Sequence, residues 1–209
     1  MKGRKHLLLA IMLLEWIALL IQLVLHFQNT TEEILEATLR FFSFYTILTN
    51  ILVAVMVTTI YFSKNDGKSL GFYYRPSIQT SITMHITIVG LIYNLLLRGL
   101  WWNGGLQSII HDVLHSVLPL LTILYWWCYT DARRVKYTDI FIWLVYPFIY
   151  TIYTFLRGTY VKWYPYPFMN VDEFGYTQVI KNCGFVALTF VFFSLLFVFL
   201  GRLKRINVF

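Results

Sequence analysis

The stretch Ser108–Leu121, SIIHDVLHSVLPLL, sets His111, Asp112 and His115 in a run otherwise apolar enough to cross a bilayer. His111 and His115 are four residues apart, one above the other on a single helical face. Ionisable groups are unfavourable in hydrocarbon and by default mark a functional site. Neutral imidazole can take a hydroxyl's proton near physiological pH and so activate a weak nucleophile. Suitable hydroxyls lie on another apolar run, FFSFYTILTN, where Thr46, Thr49 and Asn50 fall at i, i+3 and i+4 on one face.

The elements that must position these groups are transmembrane helices. Hydrophobic residues make up 58% of the 209 and charged residues only 13%, with a mean hydropathy of +0.64. That composition excludes an ordinary soluble domain. Six runs approach the roughly 20 residues needed to span ~30 Å of hydrocarbon. They are Leu7–Phe27, Thr38–Phe62, Ser77–Leu97, Gln107–Tyr129, Ile140–Leu156 and Val179–Leu200. The first follows Lys2, Arg4 and Lys5 in the manner of a signal peptide, but it is too long and lacks a small-x-small cleavage pattern. The expected fold is all-α: a single six-helix transmembrane domain over residues 1–209.

Basic residues orient it. Lys2, Arg4, Lys5, Lys64, Lys68, Arg75, Arg133, Arg134, Lys136, Arg202, Lys204 and Arg205 fall on alternate links and the two ends, twelve of the 17 lysines and arginines. The other links are acidic or nearly uncharged: TEEILEA, GLWWNGGLQ and a loop with Asp172 and Glu173. The positive-inside rule then places both termini in the cytoplasm of a cell-membrane protein. The net charge of +7 is thereby an insertion signal, and no nucleic-acid partner is implied.

With that orientation, a rise of ~1.5 Å per residue gives depths. His111 falls about 6 Å and His115 about 12 Å in from the outer side, with Thr46 also about 12 Å in. Asn94 and Arg98 close the third run, and Lys181 and Asn182 open the sixth. Polar groups from four helices thus converge in the outer half of the membrane. Thr46 with His115 is the depth-matched pair, and Thr49 with His115 the second. Asn50, Asn94 or Arg98 could support an oxyanion, and Asp112 could orient an imidazole. The competing role for a membrane threonine is a bond to its own i−4 carbonyl.

FFSFYTILTNILVA, TIVGLIYNLLLRGLW, HDVLHSVLPLL and WYPYPFMNVDEFGY, in that order, resemble the androgen-induced-gene family of integral membrane proteins, closer to its bacterial than its animal members. The resemblance covers the second to fifth runs and the loop before the sixth. It implies a threonine hydrolase of fatty acid esters of hydroxy fatty acids, working inside the membrane without a cofactor. Its nucleophile would be Thr46 (with Ser43 or Thr49 as alternative equivalents), and its base would come from HDVLHSVLP. The animal pattern reads H-x-x-H-T-T-V-L-P. Anchored on Val117-Leu118-Pro119 it aligns His111 with the first histidine and Leu114 with the second, so His115 falls one residue late. His111 and His115 both stay candidates. Pro119 loosens the helix around its i−4 partner, His115, which can absorb part of the offset.

The loop Gly158–Thr177 is rich in aromatics and carries Pro165 and Pro167, which argue against helix there. It reads as an interfacial aromatic belt, a lid over the outer cavity, or both. Glu15 and His85, at similar depth, either pair as a buried proton site or bond across helices. His111 and His115 have the spacing of a metal pair, but Asp112 and Lys181 do not complete a set, so no metal is expected. His26 is too isolated for bis-histidine haem. Cys128 and Cys183 fall at opposite membrane faces, which disfavours a disulfide. The expected partners are the bilayer and a lipid or fatty-acyl ester. A lipid-binding transporter or sensor with the same cavity but no catalysis is the alternative function.

Overall fold

The computed structural model describes residues 2–63, 71–99 and 104–204. Lys64, Lys68, Arg205 and the Trp101-Trp102 pair, invoked above for orientation and for the uncharged link, lie outside them. Among the described residues there are helices and turns but no strands. Six helices are long and apolar enough to cross a membrane. They are α1 (Lys2–Gln28), α3 (Tyr45–Phe62), α4 (Pro76–Leu97), α5 (Gly105–Tyr129), α6 (Asp139–Val161) and α7 (Val171–Leu203). A short helix, α2 (Ile34–Phe42), precedes α3.

Burial separates the helices. More than half of α3 and α4 is enclosed (56% and 61% of their most apolar windows), against 28% and 22% for α6 and α7. So α3 and α4 form the centre, and it is their threonines, Asn50 and His85 that need partners inside the protein. Neighbours are pinned by polar contacts that hydrocarbon would otherwise leave unpaired. Trp126 Nε1 on α5 donates to Thr80 Oγ1 on α4 at 2.9 Å, and Trp143 Nε1 on α6 donates to Ser77 Oγ at 3.1 Å. Trp16 Nε1 on α1 donates to Thr58 Oγ1 on α3 at 3.0 Å. Arg4 and Lys204 both reach the end of α5, at Tyr125 and at the Trp126 and Thr130 carbonyls, so the start of α1 and the end of α7 lie at one end of the bundle.

At the opposite, far end the second predicted run is interrupted. Instead of one helix over Thr38–Phe62, the chain stops at Phe42, passes through Ser43 and the extended Phe44 (φ −79°, ψ 122°), and restarts at Tyr45. The carbonyl of Ser43 accepts the Tyr150 hydroxyl at 2.8 Å, and the Ser43 hydroxyl meets Tyr153 at 2.8 Å. Two tyrosines of α6 therefore satisfy what the break exposes. Glu36 of α2 receives Arg40 at 2.8 Å and Arg157 of α6 at 2.7 Å. The hydrogen bond from Arg40 leads in holding the Glu36 carboxyl below its ordinary range.

α6 runs on to Val161, past the predicted Leu156, and ends with Lys162 in the left-handed region (φ 53°). The chain then folds back so closely that a β-carbon on Gly158 would lie 2.1 Å from the Tyr164 ring. α7 begins at Val171, eight residues before the predicted Val179, because Asn170 caps it by accepting from the Asp172 and Glu173 N–H groups. Gly175 (φ 71°) kinks its first turns.

Between α4 and α5 the backbones approach closely at Gly90. A β-carbon there would sit 2.8 Å from the His115 carbonyl oxygen and 3.3 Å from Pro119. Gly90→Ala is therefore expected to destabilise the protein by about 1–3 kcal/mol. Gly184→Ala, whose β-carbon would meet nothing within 4 Å inside α7, is the control and should leave thermal unfolding in detergent unchanged or slightly raised.

Candidate functional site

Thr46 is the second residue of α3, so its backbone N–H is among those with no carbonyl partner in the helix. Tyr166, from the aromatic loop, supplies it: the phenol oxygen accepts the Thr46 N–H at 3.3 Å and lies 3.3 Å from Thr46 Oγ1. Burial pushes the Tyr166 phenol above its ordinary value, so it keeps its proton at neutral pH. The depth estimate placed Thr46 two turns inside a helix. The break at Ser43–Phe44 puts it in the first turn instead, where the helix dipole is positive.

Thr46 and Thr49 also depart from the usual behaviour of membrane threonines. Thr58, Thr59, Thr80, Thr83, Thr87 and Thr122 all return their hydroxyls to the i−4 carbonyl at 2.6–2.8 Å. Thr46 instead faces Tyr166, and Thr49 Oγ1 lies 3.2 Å from the Tyr146 hydroxyl. Asn50 is fully buried and donates its amide to the Thr46 carbonyl at 2.8 Å.

Thr46 lines a cavity of about 540 Å³ walled mostly by apolar side chains, within the size range of small-molecule sites. Tyr45, Tyr93 and Tyr150 contribute aromatic walls, and Tyr166, Phe168 and Met169 bring the loop over it. The loop, read from its sequence as an aromatic belt, a lid or both, thus lies against the cavity. Phe168 stacks on Tyr166 (5.4 Å between centroids, 7° between planes), and its carbonyl accepts the Asn182 amide at 2.9 Å. Asn182 holds the loop to α7, while Lys181 is exposed and outside the cavity lining.

His115 sits in a π turn, Val113–Val117, inside α5, and Tyr93 opens a second π turn, Tyr93–Leu97, at the end of α4. Such turns often accompany functional sites. The two rings stack at 4.0 Å with 21° between planes, Tyr93 being part of the cavity wall and His115 lying outside the lining. His115 Nδ1 is 2.7 Å from the His111 carbonyl oxygen. A carbonyl only accepts, so Nδ1 carries the proton and Nε2 is the basic nitrogen. His111 itself meets the Gln107 amide at 2.7 Å, and Gln107 reaches Gln22 on α1 at 3.0 Å.

The sequence placed Asn94, Arg98 and Asp112 near the histidines, and the structure gives each a defined role. Pro119 lacks the N–H that would bond the His115 carbonyl in a regular helix. Asn94 Nδ2 donates to that carbonyl at 3.2 Å, to the Gly90 carbonyl at 2.8 Å and to Ser116 Oγ at 3.0 Å. Arg98 pairs with Asp112 at 3.0 Å. Thr46 makes no hydrogen bond with His115. Glu15 and His85, expected to pair or to bond across helices, are not bonded to each other. His85 Nδ1 lies 2.8 Å from the Tyr45 hydroxyl, whereas both Glu15 oxygens are buried without a hydrogen-bond partner. Among the described residues no three His, Cys, Asp or Glu side chains are grouped to hold a metal ion.

The tyrosines were not anticipated. Tyr146 and Tyr150 at i and i+4 on α6, in YPFIY, are the signal that was available, since that spacing puts two hydroxyls on one face. The chain matches no known family model, no curated protein and no solved structure.

The Asn94 contacts are testable through stability. Asn94→Leu leaves the His115 carbonyl unpaired in a buried environment and should destabilise by about 1–3 kcal/mol. Ser116→Ala removes only one of the three acceptors and should lower the unfolding temperature by clearly less.

Proposed function

We propose that this chain is an intramembrane hydrolase of lipid esters, with Thr46 as nucleophile and His115 as base. The observation that carries the reading is Thr46 in the first turn of α3, its side chain on the wall of an apolar cavity inside a membrane-spanning bundle. In the proposed reaction Thr46 Oγ1 attacks the ester carbonyl and its proton passes to His115 Nε2. The developing oxyanion meets the positive end of α3 and the Tyr166 hydroxyl. The alcohol leaves with a proton, and water then hydrolyses the acyl-threonine. Thr46 and His115 come together when substrate displaces the Tyr93 ring, since catalytic hydrogen bonds commonly tighten only in the bound complex. Among substrates, fatty acid esters of hydroxy fatty acids follow from the family resemblance. Both termini face the cytoplasm of a cell membrane on this reading, since Arg4, Arg133, Arg134, Arg202 and Lys204 would otherwise have to be translocated.

A second reading, a lipid-binding transporter or sensor without turnover, is favoured by the missing Thr46–His115 hydrogen bond. The two part on one experiment. Thr46→Ala and His115→Ala in purified protein should each abolish ester cleavage while expression stays intact, and fluorophosphonate labelling should vanish with Thr46→Ala but persist in Ser43→Ala and Thr49→Ala. Unchanged turnover in either of the first two variants would remove that residue from the mechanism. Retained lipid with no turnover in the unmodified protein would select the second reading.

A further inference from the structure

The cavity is closed along the bundle axis and open to its side. Towards the far end it is covered by Tyr166 and Phe168, which are tied to Thr46 and to Asn182. Towards the chain ends α7 packs tightly: a β-carbon on Gly201 would lie 2.9 Å from that of Ala132, and Arg202 stacks over Tyr137 at 4.3 Å. Between these limits both α6 and α7 contribute to the cavity wall. Phe148 on α6 and Ile180 and Val191 on α7 line the cavity and are also exposed on the surface of the bundle, at 66%, 65% and 37%. Residues that do both mark a mouth.

On the α7 side, Ile180, Gly184, Ala187 and Val191 stand at i, i+4, i+7 and i+11, a single helical stripe. A glycine in a membrane helix usually lets a neighbouring backbone approach. Gly201 does that, but a β-carbon on Gly184 would meet nothing within 4 Å. The small residues Gly184 and Ala187 therefore leave a gap unfilled. The surface around the gap, with Ile149 and Ile152 on α6 and Leu188 and Phe192 on α7, is exposed and apolar within the spanning segments. The mouth is thus continuous with the surface that meets the bilayer, where acyl chains are the only material at hand.

We infer that the cavity takes one acyl chain of a membrane lipid sideways from the bilayer, through a portal between α6 and α7 bounded by Phe148, Gly184 and Ala187. This deepens the lipid reading above, but its test needs no turnover, so the portal and the hydrolase can fail separately. Binding an apolar chain this way keeps a 540 Å³ apolar space from being exposed to water.

Cys183 lines the cavity beside the portal and is the natural reporter, since the other cysteine, Cys128, is exposed near the last turn of α5. In the full chain carrying Cys128→Ser and reconstituted in phosphatidylcholine vesicles, Cys183 should react at least tenfold faster with a hexadecyl methanethiosulfonate than with a trimethylammonium one. Gly184→Trp, or Ala187→Trp where the first fails to fold, should slow the hexadecyl reagent tenfold or more. Phe199→Trp, on the same helix but fifteen residues beyond Gly184 and outside the cavity lining, should leave its rate unchanged. Equal rates for the two reagents, or a hexadecyl rate unaffected in a folded Gly184→Trp or Ala187→Trp protein, would overturn the portal.

Discussion

Pro119 withdraws the hydrogen bond that the His115 carbonyl would receive in a regular helix, and hydrocarbon offers no water to replace it. The bundle answers with one amide. Asn94 Nδ2 reaches across from α4 to that carbonyl while also bonding its own helix at Gly90, and the lack of a β-carbon at Gly90 lets the two backbones come within range. Both helices adjust by a π turn at this crossing, one at Tyr93–Leu97 and the other at Val113–Val117. The adjustment lays the His115 ring against Tyr93, and Tyr93 is a wall of the cavity. A single missing backbone donor thus determines how the histidine stands relative to the space beside it.

The spans were legible because their signal is composition over about 20 residues, which tertiary contacts do not alter. All six recur, and Pro119 was readable as the residue that loosens the helix at His115. The interruption before Tyr45 was not. FFSFYT contains neither glycine nor proline, and nothing local prevents a continuous helix. The break is held from outside, by Tyr150 and Tyr153 of α6 bonding Ser43, residues more than a hundred positions away. Its consequence for the site is large. A depth calculation assuming one helix leaves the Thr46 N–H inside a hydrogen-bonded ladder, whereas the real α3 starts there and offers that N–H to Tyr166.

The polar clusters show the same division. Residue types on α3 and α5 identified Thr46, Thr49, Asn50 and both histidines, since ionisable and amide groups in apolar runs stand out. Their partners did not stand out, because tyrosine is common in membrane proteins as an interfacial residue. Four tyrosines (Tyr45, Tyr146, Tyr150 and Tyr166) nevertheless supply the hydroxyls that α3, the break before it and His85 use. Equal depth likewise suggested Glu15 for His85, but depth fixes only one coordinate. Rotation about the helix axes gives His85 to Tyr45 and leaves the Glu15 carboxyl buried alone, a cost the fold carries without a compensating bond.

Ester hydrolysis in a membrane faces a conflict of solvents: the acyl chain belongs in hydrocarbon, and the second half-reaction needs water. A site deep in the bundle would satisfy the first demand and starve the second. On the proposed function, Thr46 would have to stand where both can be met. On one side it lines the apolar cavity that Phe148, Gly184 and Ala187 also line, and on the other it bonds Tyr166, from the loop that follows the lysine of the exposed Lys162–Asp172 pair. The break before α3 puts Thr46 in a first turn, and on the proposed reaction the loop that caps its N–H would also be the barrier water must pass. On the proposed reaction, the Tyr166 hydroxyl would therefore serve twice, holding Thr46 in the resting state and moving aside with the loop when water is admitted.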